Sequence, residues 1–285
     1  MHLKDYIPNV NKKYRKVLFS GIAFDSSKVK KNNIFFAIKG KRFDGNNYIE
    51  KAIKHGAKVI ISEKKILKKN NKVIFIHTSN ARSLLSKTSY KLLKDKPKKM
   101  IAVTGTNGKS SIADFYYQIL TLNHKNVASI GTIGLRYKNK KKSLSNTTID
   151  PIQLSLILKF LKKNKIENII LEASSHGLKQ NRLDGLRFDV GIFTNLSHDH
   201  LDYHKTMKDY LNAKLYLFKK LIKKKGNVIT DATIPEYKQI KKISFKNKFN
   251  LNLILDKKKG IRLISHRFEN EKQILEIKLN NKRYN

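Results

Sequence analysis

The segment Met100-Ile101-Ala102-Val103-Thr104-Gly105-Thr106-Asn107-Gly108-Lys109-Ser110-Ser111 restricts what this 285-residue chain can fold into more than any other stretch. A short apolar run breaks into glycines and ends in Lys-Ser ahead of a helical pattern. It reads as a strand, a phosphate-cradling loop and a helix start. Gly105 and Gly108 let the backbone turn with its N–H groups toward phosphate oxygens, Lys109 can reach the terminal phosphates, and Ser110 can hold Mg²⁺. Thr106, Asn107 and Ser111 complete the loop, whose natural ligand is ATP or GTP. The usual eight-residue form has a glycine where this chain has Val103. A plain glycine turn between strand and helix is therefore the competing reading.

Around this loop the sequence alternates strand-like and helix-like patterns, which predicts an α/β fold. Apolar runs at 34–38, 59–61 and 73–76 alternate with helical stretches at 48–56 and 81–93. They define a small α/β domain over residues 1–97, closed by the polar, proline-containing linker Lys94-Asp95-Lys96-Pro97-Lys98-Lys99. A second domain, 98–285, is predicted as a P-loop unit with a mostly parallel sheet. Its helices are expected at 111–123, 151–163 and 207–224, and its strands at 127–130, 168–173, 189–195 and 227–230. Nucleotide should lie at the carboxyl ends of those strands. From Ile243 to Asn285 the chain holds β-like runs, such as 251–255 and 274–277, without completing another domain.

Lys+Arg 62 against Asp+Glu 21 gives a formal charge of +41, which taken alone suggests a nucleic-acid or anionic-membrane partner. The lysines are scattered instead, in clusters such as 138–142, 219–225 and 257–259, and they greatly outnumber the arginines. A nucleic-acid surface shows as a basic stripe interleaved with aromatics or arginines, so solvated lysines are the preferred reading. No run of about 18 apolar residues occurs, and the start, Met1-His2-Leu3-Lys4-Asp5-Tyr6, lacks the apolar core of a signal peptide. With no cysteine, the expectation is a soluble cytoplasmic monomer with neither a nucleic-acid nor a membrane partner.

Three further features carry chemistry. Glu172 closes the apolar run Ile169-Ile170-Leu171, which makes it a Mg²⁺ candidate if its strand lies beside the one that feeds the phosphate loop. The segment Thr194-Asn195-Leu196-Ser197-His198-Asp199-His200-Leu201-Asp202-Tyr203-His204 concentrates imidazoles and carboxylates suited to a divalent metal or to acid–base work. On a helical wheel of about 100° per residue, Met207, Leu211, Leu215, Phe218, Leu221 and Ile222 form one apolar stripe with Lys214 in its middle. An ammonium buried there is costly. Either Lys214 snorkels outward along its own stem, or it is neutralised, paired or chemically modified.

The loop Thr104 to Ser110, Asn146-Thr147-Thr148, Glu172-Ala173-Ser174-Ser175-His176-Gly177-Leu178 with Gln180 and Arg182, and Thr194-Asn195-Leu196-Ser197 followed by Asp199 to His204 together resemble the Mur ligases of peptidoglycan synthesis. The nearest resemblance is to the MurE type, which adds the third residue to UDP-N-acetylmuramoyl-L-alanyl-D-glutamate.

The resemblance implies that Gly105, Thr106, Asn107, Gly108, Lys109, Ser110 and Ser111 bind ATP. It implies that Asn146, Thr147, Thr148, Ser174, Gln180 and Arg182 hold the UDP-muramoyl-dipeptide, while Phe24, Ser26, Lys41, Arg42 and Phe43 grip its UDP end. Glu172 and His200 would ligate Mg²⁺ together with Ser110, and Lys214 matches a family lysine that is carbamylated into a metal-binding carboxylate. The implied reaction moves the γ-phosphoryl group of ATP onto the substrate carboxylate, after which the amine of diaminopimelate or lysine attacks the acyl phosphate. Two positions depart from the pattern: Ile149 stands where a proline is often found, and an acidic pair is reduced to Asp231. The family also has a carboxyl-terminal domain that binds the amino acid, and the resemblance places Asn285 inside the central domain. A folylpolyglutamate-synthase-like ligase shares this architecture but accounts less well for the UDP-side motifs. From another class, a basic P-loop protein acting on nucleic acid is the alternative.

Overall fold

Runs of consecutive apolar residues, the mark of strands covered on both faces, lie at the centre of each of the chain's two units. The computed structural model describes residues 1–40, 43–66, 72–93, 95–254, 261–270, 272–279 and 282–284. Lys41 and Arg42, expected at the UDP end, lie outside these described residues. One unit comprises Met1–Lys96, Asp150–Phe160 and Gln180–Leu186, and the other Pro97–Ile149, Leu161–Lys179 and Arg187–Asn285.

In the first unit, β1 (Gly21–Ala23), β2 (Asn33–Ala37), β3 (Ala57–Ser62) and β4 (Ile74–His77) form a parallel sheet in that order. Alternate residues of β2 point to opposite faces. Ile34 and Phe36 pack with Val59, Ile61, Leu84 and Leu85, while Phe35 and Ala37 pack with Ile49, Ala52 and Ile60 beside helix α1 (Ile49–Lys54). Each large side chain so buried stabilises the unit by about 1.5–3 kcal/mol. Helix α2 (Ala81–Leu92) starts where Asn80 accepts the Ser83 N–H at 2.8 Å. It also anchors the segment after Gln180: Ser83 Oγ donates to Asp184 Oδ2 at 2.5 Å and Tyr90 Oη to the Arg182 carbonyl at 2.7 Å.

In the second unit, β5 (Lys99–Thr104) feeds the phosphate loop and α3 (Lys109–Leu122). Next come β6 (Val127–Gly131) and the hairpin of β7 (Gly134–Tyr137) and β8 (Lys140–Lys142). Helix α4 (Pro151–Lys163) is divided between the units and leads to β9 (Asn168–Glu172), α5 (Ser175–Lys179) and β10 (Phe188–Phe193). Then follow α6 (Leu201–His204), α7 (Met207–Tyr216), β11 (Ile222–Asp231), α8 (Tyr237–Lys246) and β12 (Asn250–Ile254). The eight-stranded sheet runs β12-β11-β10-β5-β9-β6-β7-β8, parallel from β12 to β6. A separate antiparallel sheet holds β13 (Ile261–Glu269), β14 (Lys272–Leu279) and β15 (Lys282–Tyr284). Because β5 lies between β9 and β10, the phosphate loop opens beside the carboxyl ends of both neighbours. No helix among the described residues is long and apolar enough to cross a membrane.

One sequence expectation needs correction. The helix predicted over 207–224 stops at Tyr216, passes through a π-helical turn at Leu217–Leu221, and gives way to β11 at Ile222. Phe218, Leu221 and Ile222 are all buried, and their spacing suits the end of a helix or the start of a strand equally. Pairing of Ile222 with Phe188 decides for the strand. The β-like runs at 251–255 and 274–277 fall on β12 and β14, and what was not anticipated is the helix before them, α8. Ile240 and Ser244 are its buried residues and Phe245 is exposed, too narrow a stripe to register against four lysines.

Candidate active site

The phosphate loop is shaped from outside as much as by its own sequence. Gly105 has φ +150°, and a Cβ there would collide with Thr194 Oγ1, just beyond β10. Thr194 Oγ1 donates to the Asn107 carbonyl at 2.6 Å, the Thr106 N–H donates to the Asn195 carbonyl at 3.0 Å, and the Asn107 N–H to Asn195 Oδ1 at 2.9 Å. The Ser197 N–H completes the brace on Thr106 Oγ1 at 3.0 Å. Gly108, left-handed at φ +81°, caps α3. The amides from Gly108 to Ser111 open the helix, where backbone donors have no partner within the helix and favour an anion.

Glu172, at the carboxyl end of β9, is buried. Its Oε1 accepts the Thr132 N–H at 2.8 Å; its Oε2 accepts Ser110 Oγ at 3.0 Å and Thr132 Oγ1 at 3.1 Å. Gly131 is required beside it, since a Cβ there would strike Glu172 Oε1. A dry carboxylate with neutral donors, next to a loop hydroxyl, fits a hard cation such as Mg²⁺. Among the described residues no three His, Cys, Asp or Glu side chains converge as a ligand set; the pair that the structure brings together is Ser110 and Glu172.

Lys109 and Lys214 meet at one atom. Both ammoniums donate to the Gly105 carbonyl, at 2.9 and 2.7 Å, and Lys109 also donates to the Thr106 carbonyl at 2.6 Å. Lys214 does not snorkel: it is 1 % exposed, with Nζ 4.1 Å from the centre of the Tyr210 ring. Burial, and then the Lys109 charge, push its ammonium down to about 7. Burial also lowers Lys109, opposed by the carboxylates of Glu172 and Asp199.

Tyr210 Oη lies 3.2 Å from Thr106 Oγ1, and its ring adjoins those of His200 (6.2 Å) and His204 (5.1 Å). His200 is placed by Asp199, whose Oδ2 lies 3.3 Å from Nε2, and by an edge-on contact with His176. Neither ring nitrogen of the buried His204 has a hydrogen-bond partner. Burial first, then the neighbouring His176, depress it to about 4. Thr132, Gly131 and Tyr210 were not singled out from sequence, whereas Asn195 and His204 lie in the segment that was. Gly131-Thr132 directly after an apolar strand was the one local signal for its part of the site.

The substrate residues suggested by sequence are divided between the two units. In the second, Thr148 Oγ1 donates to the Glu172 carbonyl at 2.8 Å and accepts the Ser174 N–H at 2.9 Å, Thr147 Oγ1 is 3.0 Å from Thr132 Oγ1, and Asn146 is exposed. In the first, Gln180 Oε1 accepts Arg182 Nε and Nη2 at 3.2 and 2.9 Å. Phe24 lines a cavity of about 520 Å³ with Asp25, Lys28, Asn33, Asp150 and Gln153. Ser26 is buried and its carbonyl lies 2.8 Å from His55 Nδ1, while Phe43 is exposed.

Comparison with known proteins follows the same two units. The family model for the Mur ligase middle domain matches residues 103–284, and that for the Mur ligase family catalytic domain matches 18–91. Proteins named UDP-N-acetylmuramoyl-L-alanyl-D-glutamate–2,6-diaminopimelate ligase are similar in sequence. That of Rickettsia prowazekii is 36% identical over 260 residues, covering 88% of this chain and 52% of the relative. That of Rickettsia bellii is 41% identical over 247 residues, covering 85% and 50%. The chain thus spans about half the length of the curated relatives it matches. A solved structure of a ligase of that name superposes over 100% of this chain and 58% of its own, with TM-score 0.86 and 24% identity, which establishes the shared fold.

Proposed function

The chain belongs to the Mur ligase family, and we propose that it forms the nucleotide-binding and UDP-muramoyl-binding part of an ATP- and Mg²⁺-dependent cytoplasmic ligase of the MurE type. Its reaction is the addition of 2,6-diaminopimelate to UDP-N-acetylmuramoyl-L-alanyl-D-glutamate. One observation carries this reading: Ser110 of the phosphate loop bonds the buried Glu172, while Lys109 and Lys214 converge on the Gly105 carbonyl.

The amides that open α3 and the Lys109 ammonium orient the phosphates of ATP. Ser110 and Glu172 would hold Mg²⁺, which supplies charge neutralisation at the phosphate oxygens. Thr132 fixes Glu172 on two of its edges, so that carboxylate is already in place. No side chain here serves as a nucleophile; orientation and electrostatics lower the barrier for the substrate carboxylate and then for the amine. With its ammonium near 7, much of Lys214 is neutral at physiological pH. The free amine can add CO₂ and lose a proton to give a carbamate, turning a cation beside the phosphates into a second carboxylate ligand. His200 is the fourth proposed ligand, after Ser110, Glu172 and the Lys214 carbamate. Asn146, Thr147, Thr148, Ser174, Gln180, Arg182, Phe24, Ser26 and Phe43 are the proposed contacts for the UDP-muramoyl-dipeptide.

Calorimetric titration with a non-hydrolysable ATP analogue and Mg²⁺, and separately with UDP-N-acetylmuramoyl-L-alanyl-D-glutamate, tests this. Saturable binding of both is expected. Nucleotide binding without binding of the muramoyl ligand, accompanied by RNA-stimulated ATP hydrolysis, would favour the nucleic-acid class instead and refute the ligase.

A further inference from the structure

We infer that Arg82 is a positioning residue for the UDP-muramoyl substrate, an inference that rests on the substrate proposed above. Arg82 occupies the first turn of α2, where the helix dipole disfavours a cation. Its acceptors are neutral: Nη2 donates to the Lys39 carbonyl at 2.7 Å and Nη1 to Gln180 Oε1 at 3.5 Å. Neither dipole nor ion pairing explains an arginine there; two acceptors on separate chain segments do.

Those segments are two of the three, beside the one that carries Phe24 and Ser26, that the first unit is proposed to offer to the substrate. Lys39 is bridged to Asp44, and the Gly40 N–H donates to the Phe43 carbonyl at 2.7 Å, which ties Lys39 to Phe43. Gln180 in turn fixes the Arg182 guanidinium. Apart from the Ala81 N–H, which donates to Glu63 Oε1 at 2.8 Å, the other ties from α2 and its cap reach the second segment: Asn80 Nδ2 to Asn181 Oδ1 at 3.2 Å, Ser83 to Asp184, and Tyr90 to Arg182. Arg82 alone among these also reaches the Lys39 segment, so it sets the spacing between Phe43 on one side and Gln180 with Arg182 on the other. A planar guanidinium can serve two acceptors at a fixed angle, whereas a lysine ammonium on a flexible stem cannot. Without Arg82, a ligand touching both segments must order them as it binds, and its affinity falls.

Calorimetry on the chain as it stands decides the matter, with UDP-N-acetylmuramoyl-L-alanyl-D-glutamate as one probe and ADP with Mg²⁺ as the other. Arg82→Met should weaken the muramoyl ligand by about tenfold or more while ADP changes by less than about twofold. Arg82→Lys should recover little of the loss, because restoring charge does not restore the fork. Ser83→Ala, which removes a purely structural tie of the same helix, should lower the melting temperature and leave muramoyl affinity within about twofold. Arg82→Met binding the muramoyl ligand as tightly as wild type overturns the inference, and so does full rescue by Arg82→Lys. Failure of the wild-type chain to bind that ligand while it binds ADP overturns the proposed substrate, and the inference with it.

Discussion

Replacing Lys214 by methionine should make the protein more stable while removing function. The side chain is 1 % exposed and its ammonium is pushed from 10.5 to about 7, a displacement equivalent to about 5 kcal/mol of native-state destabilisation wherever the lysine must be charged. Methionine has similar length, carries no charge and fills irregular space. It forfeits the hydrogen bond to the Gly105 carbonyl, about 1 kcal/mol, and Lys109 still donates to that carbonyl. The net gain near neutral pH is about 3 kcal/mol, or roughly 6–10 °C in melting temperature.

The sign follows from linkage. Lys214 titrates lower in the folded than in the unfolded chain, so the unfolded state binds more protons between about pH 7 and about pH 10.5. Wild-type stability should therefore rise with pH across the lower part of that window, and the Lys214→Met curve should lack this rise. Urea unfolding in bicarbonate-free buffer from about pH 6.5 to about pH 9 measures both. If Lys214→Met is less stable than wild type at neutral pH, or if the two curves run parallel, the ammonium is not under the strain its burial implies.

Other changes have equally definite outcomes. Glu172→Gln keeps the shape and can still accept from the Thr132 N–H while donating to the two hydroxyls. It should leave the melting temperature nearly unchanged but abolish the enhancement of ADP affinity by Mg²⁺, read by calorimetry with and without the metal. Gly105→Ala, which drives a methyl group into Thr194 Oγ1 at a strained φ, should weaken ADP by more than about tenfold and lower stability by about 1–3 kcal/mol. His204→Phe should resist acid better than wild type. The buried imidazole titrates near 4 instead of 6.5, so wild type loses about 3 kcal/mol as pH falls through that interval, and the variant, followed by acid unfolding, should not.

What could be read from sequence depended on how locally each feature is encoded. The β5–loop–α3 unit was legible because strand, turn glycines and helix start are adjacent in the chain. Glu172 was legible as the end of an apolar strand; its partner Thr132 was not, because β6 and β9 meet only through sheet order. The Lys214 anomaly survived even though its helix was drawn too long, since Met207, Leu211 and Leu215 of its stripe lie with it in α7 and Phe218 lies in the helical turn that follows. The ambiguity at Leu221–Ile222 was beyond a periodicity argument, because Phe188 supplies the deciding partner from another strand. Arg82 left no signal at all: an arginine early in a helix is unremarkable until Lys39 and Gln180 are seen on either side of it.

The brace of Thr194, Asn195 and Ser197 on the phosphate loop has a consequence for what the glycine motif means. Two of the loop's own amides, those of Thr106 and Asn107, already have acceptors in Asn195, so the cradle is a finished mould whose ordering is completed when the sheet folds. An incoming nucleotide meets little conformational entropy to remove, and its affinity reports contacts more than rearrangement. The mould is held by the segment just after β10, where Asn195 lies almost ninety residues further along the chain from Asn107. Moved to another strand–helix junction without that neighbour, Gly-Thr-Asn-Gly-Lys-Ser would keep the letters of a nucleotide site and lose its shape.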